Sequence, residues 1–201
     1  MASYPNGQRI NLVLDWDGTC TVDDSLVEAI RAFGDPAVFD RRFPSYEASL
    51  TAEVGTIRAA SDAVSAWAVE NVRLRPGFHA LVERHRPVIV SSGLPQLIRP
   101  VLAREGVTAE LRCNDAEPSS GGWRLRFRDE GVCPVCRDKC KRRSLPEGHP
   151  IVYAGDGISD RCAALAADRL FARGWLASHL SSRGVPYEPF ETLDEIAAAL
   201  P

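Results

Sequence analysis

Short apolar runs recur along the chain, and longer stretches with a helical spacing of apolar residues separate them. The runs are rich in Val, Ile and Leu and have the length of single buried strands. Buried strands that alternate with helices are typical of a parallel sheet covered on both faces. We therefore predict an α/β fold with a doubly wound, Rossmann-like parallel sheet. Its strands are assigned to Ile10–Leu14, Val88–Val90, Val107–Leu111, Ile151–Tyr153 and Leu170–Ala172.

One long segment interrupts this alternation after the first strand. Residues 25–75 have helical periodicity without a strand signal, whereas a plain crossover needs only one helix. We predict that they form a small helical cap, inserted into a core made of residues 1–24 and 76–201. Glu117–Leu145 is interpreted as a β-hairpin followed by a cysteine-bearing loop. Further helices are expected at about Leu94–Glu105, Ser159–Ala167 and Thr192–Leu200.

The composition is that of a globular protein with a substantial core. The chain has 201 residues, 45% of them apolar and 25% charged, and a net charge of −3. This weak, mixed charge argues against a nucleic-acid or membrane-surface partner. The first residues are polar, and Ile10–Leu14 is too short for a signal-peptide core or a membrane span. We therefore expect a cytoplasmic protein whose cysteines are mostly reduced.

Two carboxylates follow the first strand, in the sequence Asp15-Trp16-Asp17-Gly18-Thr19. Alternate side chains of a strand point to the same face, so Asp15 and Asp17 can start together before the chain turns at Gly18. One carboxylate can then act as a nucleophile and the other as a general acid and base. An Asp-Gly turn after a strand is also ordinary turn chemistry, so this segment alone leaves both interpretations open.

Two further polar motifs follow predicted strands. Ser91 comes after Val88–Val90, and Gly155–Asp160 comes after Ile151–Tyr153. Alone, Ser91 is explained as a helix N-cap and the glycine-rich motif as a turn. The carboxyl ends of parallel strands meet at one edge of the sheet, however, where ligands bind in such folds. We therefore expect both motifs to converge with Asp15 on that edge.

In chain order, Asp15-x-Asp17, Ser91, a lysine near position 141 and Gly155–Asp160 resemble the four motifs of the haloacid dehalogenase superfamily of phosphohydrolases. The resemblance covers residues 11–25 and 77–190. It implies a Mg²⁺-dependent phosphatase that hydrolyses a small phosphorylated metabolite through an aspartyl-phosphate. Two alternatives use the same residues: a phosphotransferase, and a non-catalytic phosphate-binding or zinc-stabilised module. The sequence leaves open whether the protein is a monomer or a homodimer.

The resemblance also implies individual roles. Asp15 would attack phosphorus, Asp17 would protonate the leaving alkoxide, and Ser91 and a lysine would bind phosphoryl oxygens. Lys141 directly follows a cysteine, as in the related phosphatases of this type, and Lys139 is the alternative. Amides around Gly18, Ser92 and Gly93 would cradle the phosphate. The implied Mg²⁺ ligands are Asp15, the Asp17 backbone carbonyl, Asp156 and Asp160.

The motifs are similar to those of the subfamily that contains phosphoserine phosphatase. Within it, the cysteine loop resembles the methionine-salvage 2-hydroxy-3-keto-5-methylthiopentenyl-1-phosphate phosphatases and the phosphoethanolamine and phosphocholine phosphatases. Phosphoserine phosphatase reads the substrate amino group with a glutamate nine residues after its nucleophile, and Asp24 occupies that position here. Asp24 is therefore the main candidate for substrate selection. Four further candidates come from the predicted cap: Arg41, Arg42, Tyr46 and Arg58.

Three closely spaced cysteines carry a separate hypothesis. Cys133, Cys136 and Cys140 offer three thiolates, and Cys113 or His149 could complete a tetrahedral zinc site. The signal is weak because no second Cys-x-x-Cys pair accompanies them. The alternative is a reduced loop core beside the lysine.

Overall fold

A six-stranded parallel sheet forms the centre of the fold. The computed structural model describes residues 9–200, so residues 1–8 and 201 of the predicted core lie outside it. The strand order is β3-β2-β1-β6-β7-β8, and every neighbouring pair is parallel. The predicted doubly wound α/β fold is thus confirmed. The strands are β1 (Asn11–Leu14), β2 (Val88–Val90), β3 (Glu110–Arg112), β6 (Ile151–Gly155), β7 (Arg169–Ala172) and β8 (Glu188–Pro189).

Helices cover both faces of this sheet. Leu12 and Leu14 of β1 point into one apolar cluster with α4 (Phe78–His85), α5 (Pro95–Arg104) and α8 (Leu193–Ala199). Val13 points to the opposite face, into a second cluster with α6 and α7. Because all three side chains are almost fully buried, β1 lies in the middle of the core and fixes the position of whatever follows it. In the second cluster, α6 spans Arg161–Ala164 and α7 spans Gly174–Ser182.

Residues 25–71, between β1 and α4, form three helices and one short 3₁₀ turn. The helices are α1 (Ser25–Phe33), α2 (Tyr46–Val54) and α3 (Ser61–Asn71), with the turn at Pro36–Asp40. Asp24 and Ser45 cap the first two by accepting hydrogen bonds from backbone amides of their first turns. The chain leaves and re-enters the core at one place, where Thr21 pairs with Leu74 in an antiparallel bridge. Whether these helices act as a cap stays a prediction.

Arg75 fastens this junction. Its side chain is buried and donates hydrogen bonds to the backbone carbonyls of Gly18 (2.8 Å), Thr19 (2.8 Å) and Thr21 (3.0 Å). A fourth bond runs to the Glu191 carbonyl at 3.0 Å. One side chain therefore ties the loop after β1 to the end of the helical insertion.

A two-stranded antiparallel hairpin follows β3, formed by β4 (Asp115–Glu117) and β5 (Arg124–Arg126). The buried Trp123 joins it to the inserted helices by donating from Nε1 to the Ala59 carbonyl at 2.8 Å. After the hairpin, residues 127–140 contain no helix or strand, and a 3₁₀ turn then spans Lys141–Ser144. The predicted hairpin and loop are both present.

Two predicted elements differ in extent. The third strand begins at Glu110 rather than Val107, because the Val107 amide bonds back to the Leu102 carbonyl and closes α5. The helix expected from Ser159 is a 3₁₀ turn, Ile158–Asp160, followed by the four-residue α6. No helix within residues 9–200 combines the length and apolar character that crossing a membrane requires.

Candidate active site

Three carboxylates meet where β1 and β6 end side by side. Leu14 and Ala154 are register partners, so Asp15 and Asp156 emerge at the same edge of the sheet. One carboxylate oxygen from each of Asp15, Asp156 and Asp160 lies within 4.8 Å of the others. Gly18 permits this approach, since its φ is +73° and a Cβ there would overlap the Asp156 carboxylate. The three predicted acidic residues are therefore brought together.

Lys141 inserts between two of these carboxylates. Its Nζ contacts Asp15 Oδ1 and donates to Asp160 Oδ1 at 2.7 Å, and the side chain is buried. Lys139 points elsewhere, since its Nζ donates to the carbonyls of Asp129 (2.8 Å) and Glu130 (2.6 Å). Of the two candidate lysines, only Lys141 lies in the carboxylate cluster.

Asp160 is held in place by several donors. Tyr153 Oη donates to Oδ1 at 2.6 Å, and the amides of Asp156 and Gly157 donate to Oδ2 at 3.0 and 2.8 Å. Because these groups and Lys141 already engage both oxygens, Asp160 fits a supporting position behind the other two carboxylates. Sequence reasoning missed Tyr153, because a tyrosine in a buried strand looks like an ordinary core residue.

The cluster carries more negative charge than Lys141 balances. Burial raises the pKa of Asp15 well above its usual value, the nearby Asp160 adds to the rise, and Lys141 opposes it. Burial and Asp160 also raise the pKa of Asp156. Clustered carboxylates with raised pKa values favour a bound cation, and an all-oxygen donor set suits Mg²⁺. The residues present therefore fit a magnesium ion.

Asp17 lies beside the motif that follows β2, which contains Ser91 and Gly93. Its Oδ1 accepts hydrogen bonds from the amide (2.8 Å) and hydroxyl of Ser25, and a Cβ on Gly93 would lie 2.8 Å from its Oδ2. Burial and the charge of Asp24 raise the pKa of Asp17 to about 7, while the Ser25 hydrogen bonds oppose the rise. Ser91 is buried beside this glycine and accepts from the Gly93 amide at 2.8 Å. Asp17 and Ser91 thus flank the same glycine.

A cavity of about 600 Å³ opens over these groups. Its core wall includes Asp15, Asp17, Ser92, Gly93, Lys141 and Asp156, and its opposite wall comes from the inserted helices. Asp24 lines the cavity while it also caps α1 through the Val27 amide at 2.9 Å. Arg161 lines it too and was missed, because nothing in its local sequence distinguishes it from a surface arginine.

The four cap candidates separate into two pairs. Arg41 and Tyr46 line the cavity, and Tyr46 contacts the Ser92 side chain. Arg42 is exposed and lies outside the lining. Arg58 donates to the carbonyls of Gly55 (2.7 Å) and Ile57 (3.2 Å) and so holds its own turn. Arg42 and Arg58 therefore lie outside the cavity lining, and their part in substrate selection stays a prediction.

The predicted cysteine cluster has a different fourth member. The sulfurs of Cys133, Cys136 and Cys140 lie together with that of Cys162, all within 4.8 Å of one another. Cys113 instead packs against the larger apolar cluster, and burial raises its pKa to about 11. His149 lies outside the cluster as well. The prediction that Cys113 or His149 supplies the fourth ligand is therefore wrong.

Residues 12–165 match the model of the haloacid dehalogenase-like hydrolase family. Two similar proteins are 2-hydroxy-3-keto-5-methylthiopentenyl-1-phosphate phosphatases. That of Exiguobacterium sibiricum is 25% identical over 93% of this chain and 94% of its own length. That of Bacillus cereus is 23% identical over 95% of each chain.

Solved structures of phosphoserine phosphatase have the same fold. A substrate-bound complex superposes with a TM-score of 0.71 at 12% identity, covering 96% of this chain and 99% of the other. A phospho-aspartyl intermediate analogue superposes with a TM-score of 0.68 at 15% identity and the same coverage. At these identities the superpositions establish the shared architecture.

Proposed function

The chain belongs to the haloacid dehalogenase-like hydrolase family and is a phosphoric monoester hydrolase, and we propose that it acts with Mg²⁺ through a phosphoryl-aspartate on Asp15. The observation that carries this proposal is the convergence of Asp15, Asp156 and Asp160 around the Lys141 ammonium at two adjacent strand ends. A carboxylate that attacks an anionic phosphate needs positive charge close by, and this arrangement supplies it.

Asp15 and Asp156 would hold the magnesium ion, together with the Asp17 carbonyl and with Asp160 in support. When bound, the ion supplies positive charge that reduces the repulsion between the carboxylate and the phosphate. The Lys141 ammonium binds phosphoryl oxygens from one side. Ser91 Oγ and the Ser92 amide bind them from the other, while the Gly93 amide holds Ser91 in place.

Asp15 Oδ attacks phosphorus, an oxygen–phosphorus bond forms, and the bond to the ester oxygen breaks. Asp17 donates a proton to that departing oxygen. It then takes a proton from the water that hydrolyses the phosphoryl-aspartate, which restores the Asp15 carboxylate and releases phosphate. The position of Asp17 against Gly93, apart from the Lys141 pair, supports this division of roles.

The helical insertion, residues 25–75, acts as the substrate-selecting cap over the core of residues 1–24 and 76–201. Phe39 and Phe43 give its cavity wall an apolar surface, and Arg41 adds a positive charge. Asp24 caps α1 through Oδ1 and also lines the cavity, so it stays the main candidate for substrate selection. These features favour a small phosphorylated metabolite with an apolar part. The similar phosphatases support the same class, and a cytoplasmic location stays a prediction.

The test compares Asp15→Asn with Asp23→Asn, an exposed aspartate paired with Arg73 on the surface. With p-nitrophenyl phosphate and Mg²⁺, we expect Asp15→Asn to lose phosphate release by about 10³-fold or more and Asp23→Asn to keep it. Borohydride reduction followed by mass spectrometry should label Asp15 in the active protein. Undiminished turnover by Asp15→Asn contradicts the mechanism. Transfer of the phosphoryl group to added alcohols in preference to water would indicate a phosphotransferase.

A further inference from the structure

Four cysteines from two separate parts of the chain meet beside the carboxylate cluster. Three come from the loop after β5, and Cys162 comes from α6. All four are free thiols, and none is exposed. In a tetrahedral zinc site with Zn–S bonds of about 2.3 Å, neighbouring sulfurs lie about 3.8 Å apart. Sulfurs that already lie within 4.8 Å of one another therefore need only a small contraction to bind the ion.

We propose that Cys133, Cys136, Cys140 and Cys162 form a structural zinc site that fastens the loop carrying Lys141 to the helix that follows Asp160. Four thiolates fill a tetrahedral coordination sphere and leave no position for water or substrate, so the site is structural rather than catalytic. It is distinct from the carboxylate cluster, which offers only oxygen ligands.

The backbone around Cys133 and Cys136 forms a tight turn with amide groups directed at Cys133. The Cys133 amide donates to the Asp138 carbonyl at 2.9 Å, and the Arg137 amide donates to the Cys133 carbonyl at 2.8 Å. The Val135 amide points at Cys133 Sγ at 3.4 Å, a hydrogen bond that favours the thiolate. Arg137 has a φ of +56°, which is uncommon for a residue other than glycine and lets this tight turn close.

Two arginines lie next to the cluster. A zinc ion with four thiolates carries a net charge of −2, which needs compensation when it is partly buried. The Arg161 guanidinium contacts the Cys136 thiol, and Arg142 Nη1 donates to the Cys162 carbonyl at 3.1 Å. The two arginines supply matching positive charge.

The loop is held by hydrogen bonds, such as those from Lys139 Nζ to the Asp129 and Glu130 carbonyls, and not by regular secondary structure. Residues 127–140 contain no helix or strand, and Val132 and Val135 are 51% and 57% exposed. Such a segment buries too little apolar surface to offset the entropy of ordering it, and metal binding supplies that free energy in small irregular units. Cys140 directly precedes Lys141, and Cys162 lies two residues after Asp160. The zinc therefore fixes the two segments whose side chains meet in the Lys141–Asp160 ion pair.

The experiment measures metal content in full-length protein purified without chelator under reducing conditions. Cys162→Ser is compared with Cys113→Ser, which removes a free cysteine outside the cluster. We expect about one zinc per chain in the unmodified protein and in Cys113→Ser, and little in Cys162→Ser. Zinc retained in full by Cys162→Ser overturns the proposal, as does a zinc-supplied unmodified protein that binds none.

A second readout covers the case in which Cys162→Ser fails to fold. Exchange of zinc for Co²⁺ in the unmodified protein should give the sulfur-to-metal charge-transfer and visible bands of a tetrahedral tetrathiolate. Native alkylation followed by mass spectrometry should label the four cluster cysteines only after zinc is removed. The site is refuted if disulfides among these cysteines persist after treatment with reductant and zinc. It is also refuted if the alkylation of these cysteines is the same with and without zinc. Neither readout depends on phosphatase activity, so the proposed function is tested separately.

Discussion

Replacing Arg75 by methionine should destabilise the protein by about 3 kcal/mol. The guanidinium makes four hydrogen bonds of 2.8 to 3.0 Å to backbone carbonyls, three of them in the loop after β1. Each such bond contributes about 1 kcal/mol net, and we subtract about 1 kcal/mol because the buried guanidinium itself pays a desolvation cost. For a chain of this length, about 3 kcal/mol lowers Tm by about 6 to 12 °C.

Arg73→Met is the matched control, since this arginine lies two residues away, is 71% exposed and forms only a surface ion pair with Asp23. It should change stability by less than about 0.5 kcal/mol, because exposed ion pairs contribute little. Thermal unfolding followed by circular dichroism measures both variants, and phosphate release reports on the loop. We expect Arg75→Met also to slow turnover, because the Gly18 carbonyl next to Asp17 then keeps only the hydrogen bond from Arg173. Equal Tm values for the two variants would contradict a stabilising role for the Arg75 hydrogen bonds.

Two further predictions use neighbouring pairs of residues. Lys141→Met should lower phosphate release by about 10²-fold or more, the size of loss expected when a charge-stabilising donor is removed. Lys139→Met should keep most of the activity, because its Nζ donates to carbonyls of its own loop. Equal losses for the two variants in a phosphate-release assay would contradict the assignment of Lys141. Gly122→Ala should cost more than about 1 kcal/mol, because φ is +114° and a Cβ would overlap the Gly55 carbonyl oxygen, whereas Gly121→Ala enters open space and should be neutral in urea unfolding. An unchanged free energy of unfolding for Gly122→Ala would mean that the hairpin does not pack closely against Gly55 at the end of α2.

The central strands were predictable because their chemistry is local. β1 and β6 are apolar runs flanked by polar motifs, and both lie where the sequence pattern indicates. β8 escaped prediction because Glu188–Pro189 is two residues long and carries no strand pattern. Periodicity predicts an element only when it extends over enough residues to repeat.

The site was predictable where motifs follow strands and not where distant segments meet. Asp15 and Asp156 converge because parallel strands end at one edge. Cys162 lies 22 residues beyond Cys140 and is followed by alanines, so no spacing signals its place in the cysteine cluster. The preceding cysteine favours Lys141 over Lys139 in the sequence, and in the structure the 3₁₀ turn that begins at Lys141 places its side chain at the carboxylates.

The single Thr21–Leu74 bridge has a consequence for how such proteins diverge. Because the insertion leaves and returns at adjacent points, insertions of other lengths and sequences fit the same junction without moving β1 or β2. Under the proposed division of roles, the strand ends are constrained by phosphoryl chemistry, whereas changes in the inserted helices are constrained mainly by their contacts with the hairpin and the cysteine loop.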